Sequence, residues 1–341
     1  MVLGAFESES GYGDGRFMVR DAATKALEYL SGESTGSAWT GLWRAVTANV
    51  DADPQGEVCI TSSSTYSGKI FCYDGLTHAE QWQTTLASGL SFRSLAFADL
   101  DGDGGLELIA GVGQEHTGAP GLYVYAYEAA TGFLRWRTPD LGLSGFPSLS
   151  LVRVAQVDGD SALEVLVAAY GDRLRIFDGA SGALQLTTGD LGITALEVAT
   201  DDLGGNAEVM VGTQDGAILR IHPGTGAVAQ TLASYGGRID GLRAAHVDAD
   251  AVVDLVLGLG GTLLLHDGAT ALPVWQSPYL GTGTGADDAL IVADLDADGV
   301  VEAMIGTVRG VVIYRLGNDP DVIFADGFES GDTTGWSQTV P

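Results

Sequence analysis

Apolar and polar positions follow one another along the chain in short blocks, without helical spacing. Runs such as residues 165–169 and 253–257 are almost continuously apolar and are bounded by acidic or glycine-rich stretches. Amphipathic helices need apolar residues three and four apart, and that spacing is not sustained anywhere. Near-continuous apolar strands are the kind covered on both faces, as in sheets packed face to face.

The blocks repeat. One signature is an apolar strand, an acidic loop, and a Glu or Asp leading into a second apolar strand. It occurs as TANVDADPQGEVCI, FADLDGDGGLELIAG, AQVDGDSALEVLVA, ATDDLGGNAEVMVG, AHVDADAVVDLVLG and ADLDADGVVEAMIG. The anchoring acids are Glu57, Glu107, Glu164, Glu208, Asp254 and Glu302, separated by 50, 57, 44, 46 and 48 residues. A second signature is an apolar strand ending in a turn like DGxTG, then another strand. Its copies are VRDAATKALEYL, CYDGLTHAEQW, AYEAATGFLRW, IFDGASGALQL, IHPGTGAVAQT and LHDGATALPVW, with a degenerate one over 311–324.

The unit is therefore strand, acidic loop, strand, variable loop, strand, DGxTG turn, strand. A period of roughly 45–55 residues with four strands is the size of a propeller blade. The expected fold is an all-β β-propeller of seven blades, each a four-stranded antiparallel sheet, with the first blade incomplete at the N-terminus. The predicted blades are 1–33, 41–86, 91–138, 149–188, 193–233, 238–278 and 287–325, with 326–341 as a C-terminal tail or the start of a truncated module. Residues 2–32 match only the later part of a unit. Either the chain is a fragment of a longer protein, or its start is misplaced. The alternative is that 322–325 completes the first blade and closes the ring, which would remove exposed strand edges.

Composition sharpens this picture. The 50 glycines exceed the ordinary share of about 7% and lie between hydrophobic runs, which reads as many tight turns and not as disorder. A net charge of −29 disfavours nucleic acid and anionic membrane surfaces as partners. No apolar stretch is long enough to span a bilayer, and MVLGAFESES lacks the basic start and apolar segment of a signal peptide. Cys59 and Cys72 fall directly opposite each other on neighbouring antiparallel strands. They are either a cross-strand disulfide in an oxidising compartment or two buried thiols.

Much of the acid is concentrated in the six loops, which points to cations. In one loop Asp99, Asp101, Asp103 and Glu107 stand at positions one, three, five and nine, with Gly105 offering a carbonyl at seven. Asp294, Asp296, Asp298, Val300 and Glu302 repeat the arrangement. Calcium takes six to eight hard oxygen ligands, and alternate residues of a tight loop can aim theirs inward. Ca2+ is the expected cofactor. Asn49, Asp51, Asp53 and Glu57 keep four oxygen donors and form a weaker candidate. The loops at Asp158, Asp160 and Glu164, at Asp248, Asp250 and Asp254, and from Thr200 to Glu208 read better as polar turns. An EF-hand is excluded, because its loop of twelve residues lies between helices.

FADLDGDGGLELIAG and VADLDADGVVEAMIG resemble the FG-GAP/VCBS repeat family, related to the propeller of integrin α-subunits, over most of residues 1–316. The resemblance implies a seven-bladed propeller whose acidic loops bind calcium between the first two strands of a blade. The DGxTG…W turns also look like the PQQ-type quinoprotein repeat, although no cofactor pocket is readable. IFADGFESGDTTGWSQ resembles a short C-terminal tail of secreted proteins in some Gram-negative bacteria, and also the first strand of a jelly-roll module. Both fit an extracellular or cell-surface, bacterial secreted location.

Loops after the second strand are long in the first three units, at 7–15, 62–68 and 113–121, and short later. They carry Tyr12, Tyr66, Gln114, Glu115 and His116, with Trp39 on the nearby connector 31–41, and form a candidate partner-binding patch; simple loop variation is the alternative. No nucleophile elbow, phosphate loop or zinc spacing is present, and no catalytic residues are assigned. The expected role is a non-catalytic binding or adhesion module for an extracellular protein or glycan. The alternatives are a substrate-holding part of a larger secreted enzyme, such as a polysaccharide lyase, and a structural spacer with no ligand.

Overall fold

A computed structural model describes residues 2–7, 14–21, 26–32, 40–64, 67–85, 87–114, 121–142, 148–199, 207–281, 289–295, 298–307, 310–317 and 321–326. Every described strand pairing is antiparallel, and all but one join chain neighbours. An N-terminal sheet of three strands, Val2–Glu7, Asp14–Arg20 and Leu27–Leu30, is followed by six blades. The blades span 40–88, 90–137, 151–187, 193–234, 239–276 and 290–326, each with four strands in sequence order. The first of them adds a short fifth strand, Ala87–Ser88, on Ser67–Tyr73.

The expectation of seven blades is therefore corrected to six. Residues 2–30 form a sheet of three strands, not four. The proposed closure by 322–325 is corrected as well. Asp321–Asp326 pairs with Gly310–Arg315 as the fourth strand of the last blade, with Ile313 opposite Phe324. It thus has its own blade to complete. Cys59 and Cys72 are a directly opposed pair on adjacent strands and are joined by a disulfide.

The chain divides into two compact units. The first comprises Met1–Gln156, Asp160–Tyr170 and Arg175–Gln185; the second comprises Val157–Gly159, Gly171–Leu174 and Leu186–Pro341. Within the first, sheet faces bury clusters such as Cys72, Phe92, Leu108, Val112 and Tyr127. Leu100, Ile109, Val124, Val165 and Phe177 form another. Within the second, Met210, Ile239, Leu255 and Leu264 pack together, as do Val256, Leu265, Ile305 and Tyr314. The continuously apolar strands are explained by these contacts on both faces. In Glu164–Ala168 and Leu174–Asp178, nearly every residue is buried.

Two polar devices recur. A buried hydroxyl on the outermost strand accepts the N–H of the residue fourteen positions earlier: Thr84 from Ile70, Thr138 from Val124, Thr188 from Leu174 and Ser277 from Leu263. This extends each ladder by one bond where the strand would otherwise leave a buried donor unpaired. The second device links neighbouring blades. Trp82 Nε1 donates to the Ala129 carbonyl at 2.8 Å, and Trp136 Nε1 to that of Gly179 at 2.7 Å. The turn glycine beneath each ring has positive φ, and a Cβ on Gly132 would lie 2.5 Å from Trp82. The DGxTG turn and the preceding unit's tryptophan are thus two halves of one contact.

Gly132→Ala should lose about 1–3 kcal/mol of stability, through both φ strain and displacement of Trp82. Gly142, at φ +66° with open space around its Cβ position, isolates the strain alone. In urea unfolding, Gly132→Ala should be clearly worse than Gly142→Ala; equal losses would show that the tryptophan contact adds nothing.

Candidate cation site

The acid that opens the second strand of a blade is buried in five of the six. Glu57, Glu107, Glu164, Asp254 and Glu302 are at most 3% exposed, and each has apolar strands on either side. In at least four of them one carboxylate oxygen reaches back seven residues to a backbone N–H at the start of the loop. Val50 donates to Glu57 Oε2, Leu100 to Glu107 Oε2, Val247 to Asp254 Oδ2 and Leu295 to Glu302 Oε2, at 2.6, 2.9, 3.0 and 2.8 Å. The other Asp side chains hold the turn itself. Asp99 accepts from Gly102 and Gly104, Asp101 from Asp103, and Asp103 from Gly105. Asp294 accepts from Asp298 and Gly299, and Asp298 from Val300.

The two loops with complete carboxylate sets each hold an arginine. Arg135 donates from Nη1 to Glu107 and from Nη2 to Asp101. Its guanidinium thereby bridges two of the three acids, Asp99, Asp101 and Glu107, whose oxygens gather within 4.8 Å. Arg315 pairs with Asp298, and Asp296 lies outside the described residues. In the loop before Glu208, read from sequence as a bare turn, the anchoring acid is part-exposed and pairs with Arg220 at 3.0 Å. Each of these arginines sets a positive charge against carboxylates of its loop.

The loop at 49–57 is different. Asn49 Nδ2 donates to the Asp53 carbonyl, Asp53 N to Asp51 Oδ1 and Gln55 N to Asp53 Oδ1. Asp51 and Glu57 come within 4.8 Å of a third acid, Asp74, the first residue of the DGLTH turn. Glu57 is fully buried, and its Oε1 has no hydrogen-bond partner. Among the described residues no Lys or Arg pairs with any of the three. Hydrogen bonds from Thr77 and Leu76 hold the Asp74 carboxyl below its usual pKa, so it offers a charged oxygen. Asp53 faces its own turn and stays outside the group.

Asp74 was legible in the repeat. Placing Cys59 opposite Cys72 puts Glu57 opposite Asp74, because adjacent strands run antiparallel. Gly75 then sits so close to the loop that a Cβ would be 2.2 Å from the Gly56 carbonyl. The same geometry gathers Asp248, Asp254 and Asp267. There burial raises the Asp254 pKa, and Gly268 N–H already occupies Oδ1. Of the proposed partner patch, Tyr12, Trp39, Tyr66, Glu115 and His116 lie outside the described residues, and Gln114 is placed only as the last residue of Glu107–Gln114.

No protein-family model matches the chain, and no curated protein matches it in sequence. Solved structures do resemble it in fold. Sqt1 of Saccharomyces cerevisiae superposes with a TM-score of 0.58 at 13% identity, covering 95% of this chain and 83% of that one. The Dos1 propeller gives 0.56 at 13% identity, with 93% and 77% covered. A rhamnogalacturonan lyase of Bacillus licheniformis gives 0.51 at 16% identity, with 92% and 66% covered. With the blade topology above, these likenesses show an all-β β-propeller.

Arg135→Gln leaves Glu107 buried without its cation. It should lose about 1–3 kcal/mol in chelator, less than for a wholly buried pair because Arg135 is a third exposed. Added calcium should restore part of that loss in the variant, as read by thermal unfolding. A variant as stable as the parent in chelator would show that the guanidinium is not the counter-ion of this loop.

Proposed function

We propose that the chain is a calcium-stabilised β-propeller of FG-GAP/VCBS type that acts outside the cell as a non-catalytic binding module for a protein or glycan. The observation that carries the calcium reading is the Glu57 carboxylate. A buried charged oxygen without a donor costs several kcal/mol unless a cation or proton meets it. Asp51 and Asp74 converge on the same place, and among the described residues no Lys or Arg pairs with them. Three carboxylates with nearby loop carbonyls form a hard-oxygen set suited to calcium. Calcium there would tie the acidic loop to the DGLTH turn, and so the second strand to the third. The Cys59–Cys72 disulfide, two residues from Glu57 and from Asp74, supports an oxidising compartment.

A second reading is favoured by the likeness to the lyase, whose chain is longer than the region matched. In it the propeller holds a polysaccharide for a secreted enzyme. Incubating the protein with rhamnogalacturonan would separate the two: unsaturated products support the second reading, and their absence supports the first.

Extracellular calcium modules bind at about 10⁻⁴–10⁻³ M, so about 10 mM calcium should add roughly 1.4 kcal/mol at the weak end, or about 2 °C in Tm. Glu57→Gln keeps an acceptor for Val50 N–H but removes the charge. It should reduce the calcium-dependent gain while leaving Tm in chelator close to the parent's. No calcium shift in the parent protein, or the same shift in the variant, would sink the proposed site.

A further inference from the structure

The blades repeat in register, so one inter-blade contact can be compared with the next. Counting from the anchoring acid, the residue of the third strand that pairs one step in is Tyr73, Tyr127, Ile221, His266 and Tyr314 in turn. The residue that pairs two steps in is Cys72, Ala126, Arg220 and Leu265 in the blades from 40–88 to 239–276 where the pairing is described. Successive blades pack the two positions against each other. Cys72 shares a core with Tyr127, and Leu265 with Tyr314. Ala126 shares one with Phe177, which precedes its turn as His266 does. Between blades 193–234 and 239–276 the apolar pair is replaced by Arg220 and His266.

An imidazole is smaller than the phenol or phenyl ring used elsewhere, and a cavity of about 280 Å³ opens at this contact. Met210, Arg220, Gln230 and Leu232 line it from one blade, and Leu255 and His266 from the other. Register explains the grouping: Arg220 lies between Met210 and Gln230, and His266 opposite Leu255. His266 is 2% exposed, and neither of its ring nitrogens makes a well-formed hydrogen bond, although its own carbonyl and that of Ala271 lie nearby. Arg220 gives Nη2 to Glu208 but keeps a buried Nε with no acceptor. Tyr235 stands edge-on to His266, 6.5 Å between centroids, and its buried hydroxyl is also without a partner.

The wall is close to electroneutral. Glu208 balances Arg220, and burial lowers the His266 pKa despite Asp267, Asp254 and nearby carbonyls, which disfavours the charged ring. A further anion would meet the strongly negative chain. What the wall lacks is a group that can both accept and donate hydrogen bonds, on a body that can cover Met210 and Leu232.

We propose that this cavity binds a small uncharged ligand with several hydroxyl groups and an apolar face, the chemistry of a neutral pyranose unit, using Arg220 Nε and the His266 ring nitrogens as buried hydrogen-bond partners. The inference deepens the binding-module reading but does not rest on the cation loops. The test is calorimetric titration of the whole chain with D-glucose, D-galactose, D-mannose, L-fucose and D-xylose, each as free sugar and as methyl glycoside, with D-glucuronate as a charged control.

Saturable binding of at least one neutral sugar is expected, with weaker or no binding of glucuronate. Binding of the methyl glycoside marks the terminal unit of a longer chain as the ligand; binding of the free sugar alone marks a free monosaccharide. His266→Phe and Arg220→Leu copy the residues of other blades and should keep the fold by circular dichroism, yet each should weaken binding about tenfold or more. No saturable binding, or binding unchanged in both variants, overturns the proposal and leaves a cavity that holds water only. Sugar binding without a calcium shift would retain this inference and remove the cation reading; a calcium shift without sugar binding would do the reverse.

Discussion

Five of the six blades depend on a carboxylate placed where a carboxylate is expensive. The acid opening the second strand sits among apolar side chains, and its desolvation must be offset locally. Part of the offset is a backbone N–H seven residues earlier, which fixes the length and path of the acidic loop and thereby the register of the first two strands. The remaining oxygen needs something else, and the blades differ in what they provide. Arg135 serves Glu107, and Gly268 N–H serves Asp254. Glu57 Oε1 accepts no hydrogen bond, as is true of Oε1 in Glu164 and Glu302, and beside Glu57 the acid of the DGLTH turn, Asp74, joins Asp51 from the loop.

Loop composition therefore describes only part of each candidate cation site. The pattern of acids at positions one, three, five and nine records what the loop contributes, but half of the site comes from elsewhere in the blade. Asp74 joins Glu57 from the third strand, and Arg135 reaches Asp101 from the fourth. A loop rich in carboxylates attracts whichever cation is tethered nearby, and a guanidinium on the same sheet carries no translational entropy cost on arrival. The Asn49 loop has fewer acids and no such arginine, so its shortage of internal charge is greater.

The strand order of the blades was legible because it follows from a repeat whose two signatures have fixed phase, and phase dictates antiparallel neighbours. The blade count was not, since a partial unit at 2–32 counts as a copy in sequence but cannot make a four-stranded sheet. The function of the turn residues was only half legible. DGxTG reads as a turn, yet its second glycine is required by the tryptophan of the preceding unit, and its Asp stands beside the acid across the strand. Both partners lie far along the chain, at Trp82 for Gly132 and at Glu57 for Asp74. Only the pairing register connects them.

A repeat protein carries its own controls, and this bears on how its exceptional residues are read. Arg220 and His266 taken singly are ordinary: an arginine in an ion pair and a buried histidine. Set in register with Cys72 and Tyr127, with Ala126 and Phe177, and with Leu265 and Tyr314, they are a polar pair at a position that these other described contacts fill with apolar volume. Reverting them to the repeat's own choice would remove several unpaired buried polar atoms and fill a cavity, both stabilising changes. A chain that could gain stability by matching its own neighbours, and does not, holds those groups at a cost. Such a cost is intelligible where buried donors and acceptors wait for a ligand that completes them.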